Sequence, residues 1–228
     1  MLGESTTIKC VIFDLDGTLL DTSPGILESV RYAIEKLGYP PLPTHTLLTF
    51  IGPPLRDSFV RCCHCGTEEA GALTESYREC YRAGALLNAK PYDGIFETCR
   101  SLREMGVKTA VATSKPQVFA DRILRHFELA RFFDFIHGAD LDGKLKKSDI
   151  IKLCVKDSGA LPAECVMVGD TEHDARGAEE AGVKFLAVSY GFGTLETMLQ
   201  YPNIGVAKTA AEIVQIICNY GGNYEKAE

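Results

Sequence analysis

The sequence lacks an excess of basic residues: its 24 lysines and arginines are outnumbered by 31 acids, for a formal net charge of −7. That balance offers no average basic patch to nucleic acid or to an anionic membrane, and a small-molecule partner fits it better. No apolar run reaches the length of a membrane span. Met1-Leu2-Gly3-Glu4-Ser5 lacks the basic start and long apolar segment of a secretory signal. Internal repeats and low-complexity segments are missing too. The nine cysteines are too odd in number for a closed disulfide set. Cys10, Cys99, Cys154, Cys165 and Cys218 sit in apolar periodic stretches, where a reduced thiol behaves as a small hydrophobe. The expected compartment is therefore the reducing cytoplasm. Cys62-Cys63-His64-Cys65-Gly66 contains a C-x-x-C, but no second ligand pair follows at zinc-finger spacing and no strand precedes it as a redox motif requires. It reads as a helix end closed by Gly66.

What the chain does have is apolar residue content, 46% over 228 residues, enough for a proper core. The pattern changes character twice. After the apolar run Cys10–Phe13, the stretch 20–89 reads as consecutive short helices without a strand signal. Ser23 and Pro24 open the first helix, with Ser23 the capping candidate. From Pro91-Tyr92-Asp93-Gly94 onward, helices alternate with short apolar or β-branched runs: Lys108–Thr113, Phe132–His137, Cys165–Gly169 and Lys184–Val188. That is the pattern of βαβ units on a parallel sheet. The tail from Gly221 to Glu228 reads as mobile. The fold class is thus α/β, a Rossmann-like parallel sheet built from 1–19 and 90–228, with an all-helical insert at 20–89.

In such sheets ligands bind beyond the carboxyl ends of the strands. Asp14 and Asp16 follow the first strand; in an extended backbone, residues i and i+2 share a face, so both acids would point the same way. Two converging carboxylates are costly without a cation or proton between them. The plainer alternative is a strand ending in an acidic turn. Thr113-Ser114-Lys115 ends the second strand, Gly169-Asp170 the fourth, and Lys144-Leu145-Lys146-Lys147 lies between the third and fourth. Thr113 or Ser114 could also merely open the following helix, and a lysine run is usually a solvated face. Their convergence on one sheet edge is the stronger signal.

Asp14-Leu15-Asp16-Gly17-Thr18, the threonine at 113, the lysine before a helix and Gly169-Asp170-Thr171-Glu172-His173-Asp174 resemble the four motifs of the haloacid dehalogenase superfamily. The length and helical insert resemble its phosphoglycolate phosphatase-like branch with a helical cap. The resemblance implies a five-stranded parallel core and Mg²⁺-dependent phosphoryl transfer. Asp14 would be the nucleophile and Asp16 the proton carrier. Mg²⁺ would take Asp14, the backbone carbonyl of Asp16, and Asp170 as ligands, with Asp174 in the metal shell or orienting water. Thr113, with Ser114 beside it, and Lys147 would meet the phosphoryl oxygens. Lys147 is preferred over Lys146 because it directly precedes the helix. Asp174 could equally be the acid of a capping box opened by Thr171. Arg56 is the candidate for an anionic substrate group, against the alternative of a surface arginine.

Asp16 argues against dehalogenation, which needs no acid for an alkoxide. The missing lysine near Gly52-Pro53-Pro54-Leu55-Arg56 argues against phosphonate cleavage through a Schiff base. The expected reaction is hydrolysis of a small phosphate monoester: phosphoglycolate, a nucleoside monophosphate or a sugar phosphate. A phosphomutase and a phospho-accepting receiver module are the alternatives, and either a monomer or a homodimer is compatible.

Overall fold

The computed structural model describes residues 7–140 and 144–221. The expectation for the tail thus falls, from residue 222 on, outside the described residues. In chain order the strands are β1 (Cys10–Phe13), β2 (Leu20–Asp21), β3 (Lys90–Pro91), β4 (Lys108–Pro116), β5 (Phe135–Ala139), β6 (Cys165–Gly169), β7 (Lys184–Val188) and β8 (Val206–Ala207). The chain divides into two compact units, Met1–Leu20 with Pro91–Glu228, and Asp21–Lys90. The chain passes from one to the other at β2 and β3, which pair as a two-stranded sheet.

In the first unit every residue of β1 is buried, which requires strands on both edges and cover on both faces. The sheet is parallel throughout, in the order β5-β4-β1-β6-β7-β8. It has six strands rather than the expected five, because Val206–Ala207 pairs with the end of β7. Two residues are too few to show a period of two in the sequence. β5 begins at Phe135, not Phe132, since Ala130–Phe132 forms a 3₁₀ turn. Alternate side chains of the central strands face opposite ways: Cys10, Ile12, Ala110, Ala112, Met167 and Phe185 pack in one cluster with Ile150, Ile151 and Cys154 of helix Lys147–Ser158 and with Ala175 and Ala178 of helix Glu172–Ala181.

The Asp21–Lys90 unit contains α1 (Ser23–Lys36), α2 (Thr44–Leu48), α3 (Leu55–Cys63) and α4 (Thr67–Ala83). α1 buries Ile26, Val30, Ala33 and Ile34, one face at helical spacing, against α4. Its first turn is closed by Asp21, whose Oδ1 accepts from the Ser23 amide at 3.0 Å and the Ser23 hydroxyl at 2.6 Å. Ser23 is therefore the first helical residue and a donor, not the cap. The stop expected at Gly66 comes earlier: His64, with φ 53°, takes the left-handed position after α3, and Gly66 instead precedes α4. Asn, Asp and His tolerate that conformation better than most side chains, so a histidine can end a helix without glycine. Among the described residues, no helix is long and apolar enough to cross a membrane.

Candidate active site

The three central strands share one register, though β4 runs on past the other two. Phe13 pairs with Val111 on one side and Val168 on the other, so Asp14, Thr113 and Asp170 emerge together at the carboxyl edge. The Asp14 amide continues the ladder by one bond, to the Val168 carbonyl at 2.9 Å. Then the chain turns. Gly17 has φ 84°, and a Cβ there would lie 2.1 Å from Asp170 Oδ2, so this position needs glycine on both counts. β1 has ended at Phe13, and beyond the turn the two acids take different lysines, Lys147 for Asp14 and Lys115 for Asp16.

Asp14 meets Lys147, the first residue of helix Lys147–Ser158, at 2.6 Å between Oδ1 and Nζ. The same ammonium lies 2.7 Å from Asp174 Oδ1, close enough for an ion pair but not aligned as a hydrogen bond. Gly177 makes room for this reach, since a Cβ there would sit 2.8 Å from Lys147 Cγ. Lys146 is exposed and precedes the helix, its amide bonded to Asp149 at 3.1 Å. Asp174 is the acid of a capping box. Its Oδ2 accepts from the Thr171 amide at 3.0 Å and the Thr171 hydroxyl at 2.7 Å, a helix cap, while Oδ1 faces the site.

Asp170 is fully buried, with Oδ1 accepting from the Thr18 hydroxyl at 3.1 Å and Oδ2 from the Phe192 amide at 2.8 Å. Tyr190, near Phe192 after β7, donates to the Thr18 carbonyl at 3.0 Å and fixes the turn from behind. Thr113 is buried, and its hydroxyl oxygen accepts from the Lys115 amide at 3.1 Å, which leaves its O–H to donate. Ser114 is exposed. Arg56 lies in the other unit, where Nε and Nη2 donate to the Thr67 carbonyl at 3.2 and 3.0 Å. Glu172 accepts from Arg176 and Tyr201 and takes no part in the cluster.

Lys115 is the residue that sequence reasoning gave no role. Its ammonium stands 3.1 Å from Asp16 Oδ1, with only 5% of its side chain exposed. β4 runs past Thr113 to Pro116 with a register shift against β5, and within that irregular stretch Ser114 faces out while Lys115 turns in. The T-x-K spacing at a strand end was a visible signal, but its partner lies far away in the chain.

Burial dominates the electrostatics. It pushes the Asp14 carboxyl up to about 7, with repulsion from Asp174 and Asp16 adding to the effect and Lys147 opposing it. Asp170 is raised well above the usual carboxylate range by burial and then by Asp174 and Asp14. For Lys147 burial acts to lower the ammonium, but Asp14 and Asp174 together outweigh it and hold it above its ordinary value. One oxygen each from Asp14, Asp170 and Asp174 lie within 4.8 Å of one another. The buried Asp174 Oδ1 has the Lys147 ammonium as its neighbour at 2.7 Å. An all-oxygen set of crowded, buried carboxylates fits a hard divalent cation, which would relieve the repulsion that raises the two acids. The Cys62–Cys65 stretch forms no such grouping among the described residues.

Against known proteins, a family model described as haloacid dehalogenase-like hydrolase matches residues 11–188. The chain is 36% identical over 208 residues to a 5′-nucleotidase of Pseudomonas aeruginosa, covering 91% of this chain and 94% of that protein. It is 40% identical over 193 residues to the tyrosine-protein kinase PtkA of Mycobacterium tuberculosis, covering 84% of this chain and 65% of the kinase. Among solved structures, a predicted phosphatase from Clostridium acetobutylicum matches with a TM-score of 0.87 at 36% identity, over 93% of this chain and 99% of that one.

Proposed function

This chain belongs to the haloacid dehalogenase-like hydrolase family and is a phosphatase acting on small phosphate substrates; from that premise we propose that it is Mg²⁺-dependent and works through an aspartyl-phosphate on Asp14. The observation that carries this reading is the buried carboxylate of Asp14 at the end of the central strand, 2.6 Å from Lys147 and grouped with Asp170 and Asp174. Asp14 attacks phosphorus, the bond to the leaving oxygen breaks, and the phosphoryl group becomes an acyl phosphate. Asp16 gives its proton to the leaving alkoxide. It then takes one from the water that attacks the aspartyl-phosphate, so inorganic phosphate departs and both acids return to their starting states.

Lys147 holds Asp14 Oδ1 and offsets charge that builds on the transferring group, and Thr113 donates its O–H to a phosphoryl oxygen. Asp14, Asp170, Asp174 and the Asp16 backbone carbonyl would hold Mg²⁺. Bound there, the cation supplies positive charge for the phosphoryl oxygens and for the acids themselves. Arg56, with Nη1 donors beyond those it gives Thr67, and Ser114 are the proposed contacts for the rest of the substrate. The nine free thiols accord with a cytoplasmic setting.

The likeness to a 5′-nucleotidase puts nucleoside monophosphates first among substrates, ahead of phosphoglycolate and sugar phosphates. A panel of the three classes, assayed for inorganic phosphate with Mg²⁺ and with a chelator, tests the proposal. Chelator-sensitive release from at least one class is expected. Phosphate retained on the protein without release would point to a receiver-type module, and transfer to a second substrate hydroxyl would point to a mutase.

A further inference from the structure

We infer that Tyr190 is a positioning residue for the divalent cation: its hydroxyl acts through Thr18 to hold Asp170 as a ligand, and so sets metal affinity. The inference rests on the Mg²⁺ dependence proposed above. Both oxygens of Asp170 take a donor from the protein, Oδ1 the Thr18 hydroxyl at 3.1 Å and Oδ2 the Phe192 amide at 2.8 Å. An ionised carboxylate has about four lone-pair sites, so two donors fix its plane and still leave room for a cation.

One short loop reaches both oxygens. Phe192 meets Oδ2 directly, and Tyr190, two residues earlier, reaches the Oδ1 side by donating to the Thr18 carbonyl at 3.0 Å. Gly191 lies between them against the acid itself: a Cβ there would sit 2.4 Å from Asp170 Cβ and 2.4 Å from the Gly17 carbonyl oxygen. The base of the loop is pinned by β8, since the Ser189 amide donates to the Ala207 carbonyl at 3.0 Å. The turn itself holds Thr18 loosely. Three amides point at the Leu15 carbonyl, those of Leu19 and Leu20 at 3.0 Å and that of Thr18 at 3.4 Å, longer than a normal N–H···O bond. The Tyr190 ring packs on Tyr92, with centroids 4.7 Å apart, which aims the hydroxyl. Without that hydroxyl the buried Thr18 loses a donor to its carbonyl, and its side chain loses its fixed aim at Oδ1.

Metal affinity separates this role from a structural one. Binding of Mg²⁺ alone is measured on the metal-free protein by isothermal titration calorimetry, with no substrate present. Tyr190→Phe keeps the ring against Tyr92 and should raise the Mg²⁺ dissociation constant about tenfold, the lower end for losing a group that orients a ligand. Thr18→Val removes the direct donor and should raise it by about tenfold or more, while Thr18→Ser, which keeps a hydroxyl, should stay within about threefold of the parent. The double variant Tyr190→Phe/Thr18→Val should bind no more weakly than Thr18→Val alone, because the tyrosine acts through that threonine. A merely structural tyrosine would lower the Tm of the metal-free protein and leave the dissociation constant where it was. That result would overturn the inference, and so would losses that add in the double variant. If the parent binds no Mg²⁺, the inference fails together with the proposed metal dependence; if the parent binds it and Tyr190→Phe binds it equally well, only the positioning role fails.

Discussion

The two units of this chain bury polar groups of different kinds. In the Asp21–Lys90 unit the buried polar side chains are hydroxyls, Thr22, Ser29, Ser58, Thr74 and Ser76. Ser29 and Thr74 return their protons to carbonyls one turn back in their own helices, Gly25 at 2.8 Å and Ala70 at 2.7 Å. These bonds are local and ask nothing of a ligand. In the α/β unit the buried groups include Asp14, Lys115, Asp170 and Asp174, with Lys147 nearly so. Ionised groups cost several kcal/mol to bury, on the order of what a whole domain has in reserve. Among the described residues that cost is accepted at one sheet edge, and the contrast is the ground for proposing reactivity in the α/β unit.

The largest effect should come from the centre of the charged cluster. Asp14→Asn keeps the volume and removes the nucleophile, so turnover should fall by about 10⁴-fold or more with the fold intact by circular dichroism. Residual activity within tenfold of the parent would break the comparison at its root. Next is Thr113→Val, which preserves shape but deletes the donor proposed for the phosphoryl group. A loss of about 10²–10³ in kcat is expected, the usual size for one oxyanion donor. An unchanged kcat would return Thr113 to the role of helix opener.

Much of this edge was legible because strand ends are local. Cys165–Gly169 is an apolar run and Lys184–Val188 is one after its first residue, and both strands have those bounds in the structure. The 2.6 Å contact with Asp14 is made by Lys147, although Lys147 is the first residue of its helix and Lys146 is the one that stands before it. What the local pattern could not carry is pairing across the chain. The Lys115–Asp16 contact depends on a register shift in β4, and the Phe192 amide on Asp170 depends on where the loop after β7 folds back. β8 was missed because two residues carry no period.

Asp170→Asn tests whether the cluster strains the fold. A buried acid raised above its unfolded value of 3.8 leaves the native state holding the proton more tightly than the unfolded one. Native stability then falls as pH rises from about 4 toward the folded value. Asparagine mimics the protonated form and escapes that loss, and its amide can donate while its carbonyl accepts from the Phe192 amide. Without divalent ions, the advantage of the variant over the parent should grow as pH rises from about 4.5 to about 7.5, read as a widening difference in Tm. Added Mg²⁺ should reverse the order, because only the parent gains binding free energy. Equal stability at both pH values would show that the acids are not strained.

The smallest effect is expected in the helical unit, and it is the one that most directly probes the division between the units. Arg56 is exposed and donates two hydrogen bonds to the Thr67 carbonyl at the start of α4. Arg56→Ala removes those bonds, worth about 0.5–1.5 kcal/mol in an intramolecular setting, so Tm should drop by a few degrees. If Arg56 also meets an anionic group of the substrate, the loss appears as a KM raised by about tenfold with kcat retained, since that contact is equal in ground and transition states. Arg56→Lys should recover part of the KM for a singly charged group and less for a bidentate one, because an ammonium lacks the planar fork. A fall in kcat comparable to that of Thr113→Val would place chemistry in the unit whose buried polar groups are hydroxyls.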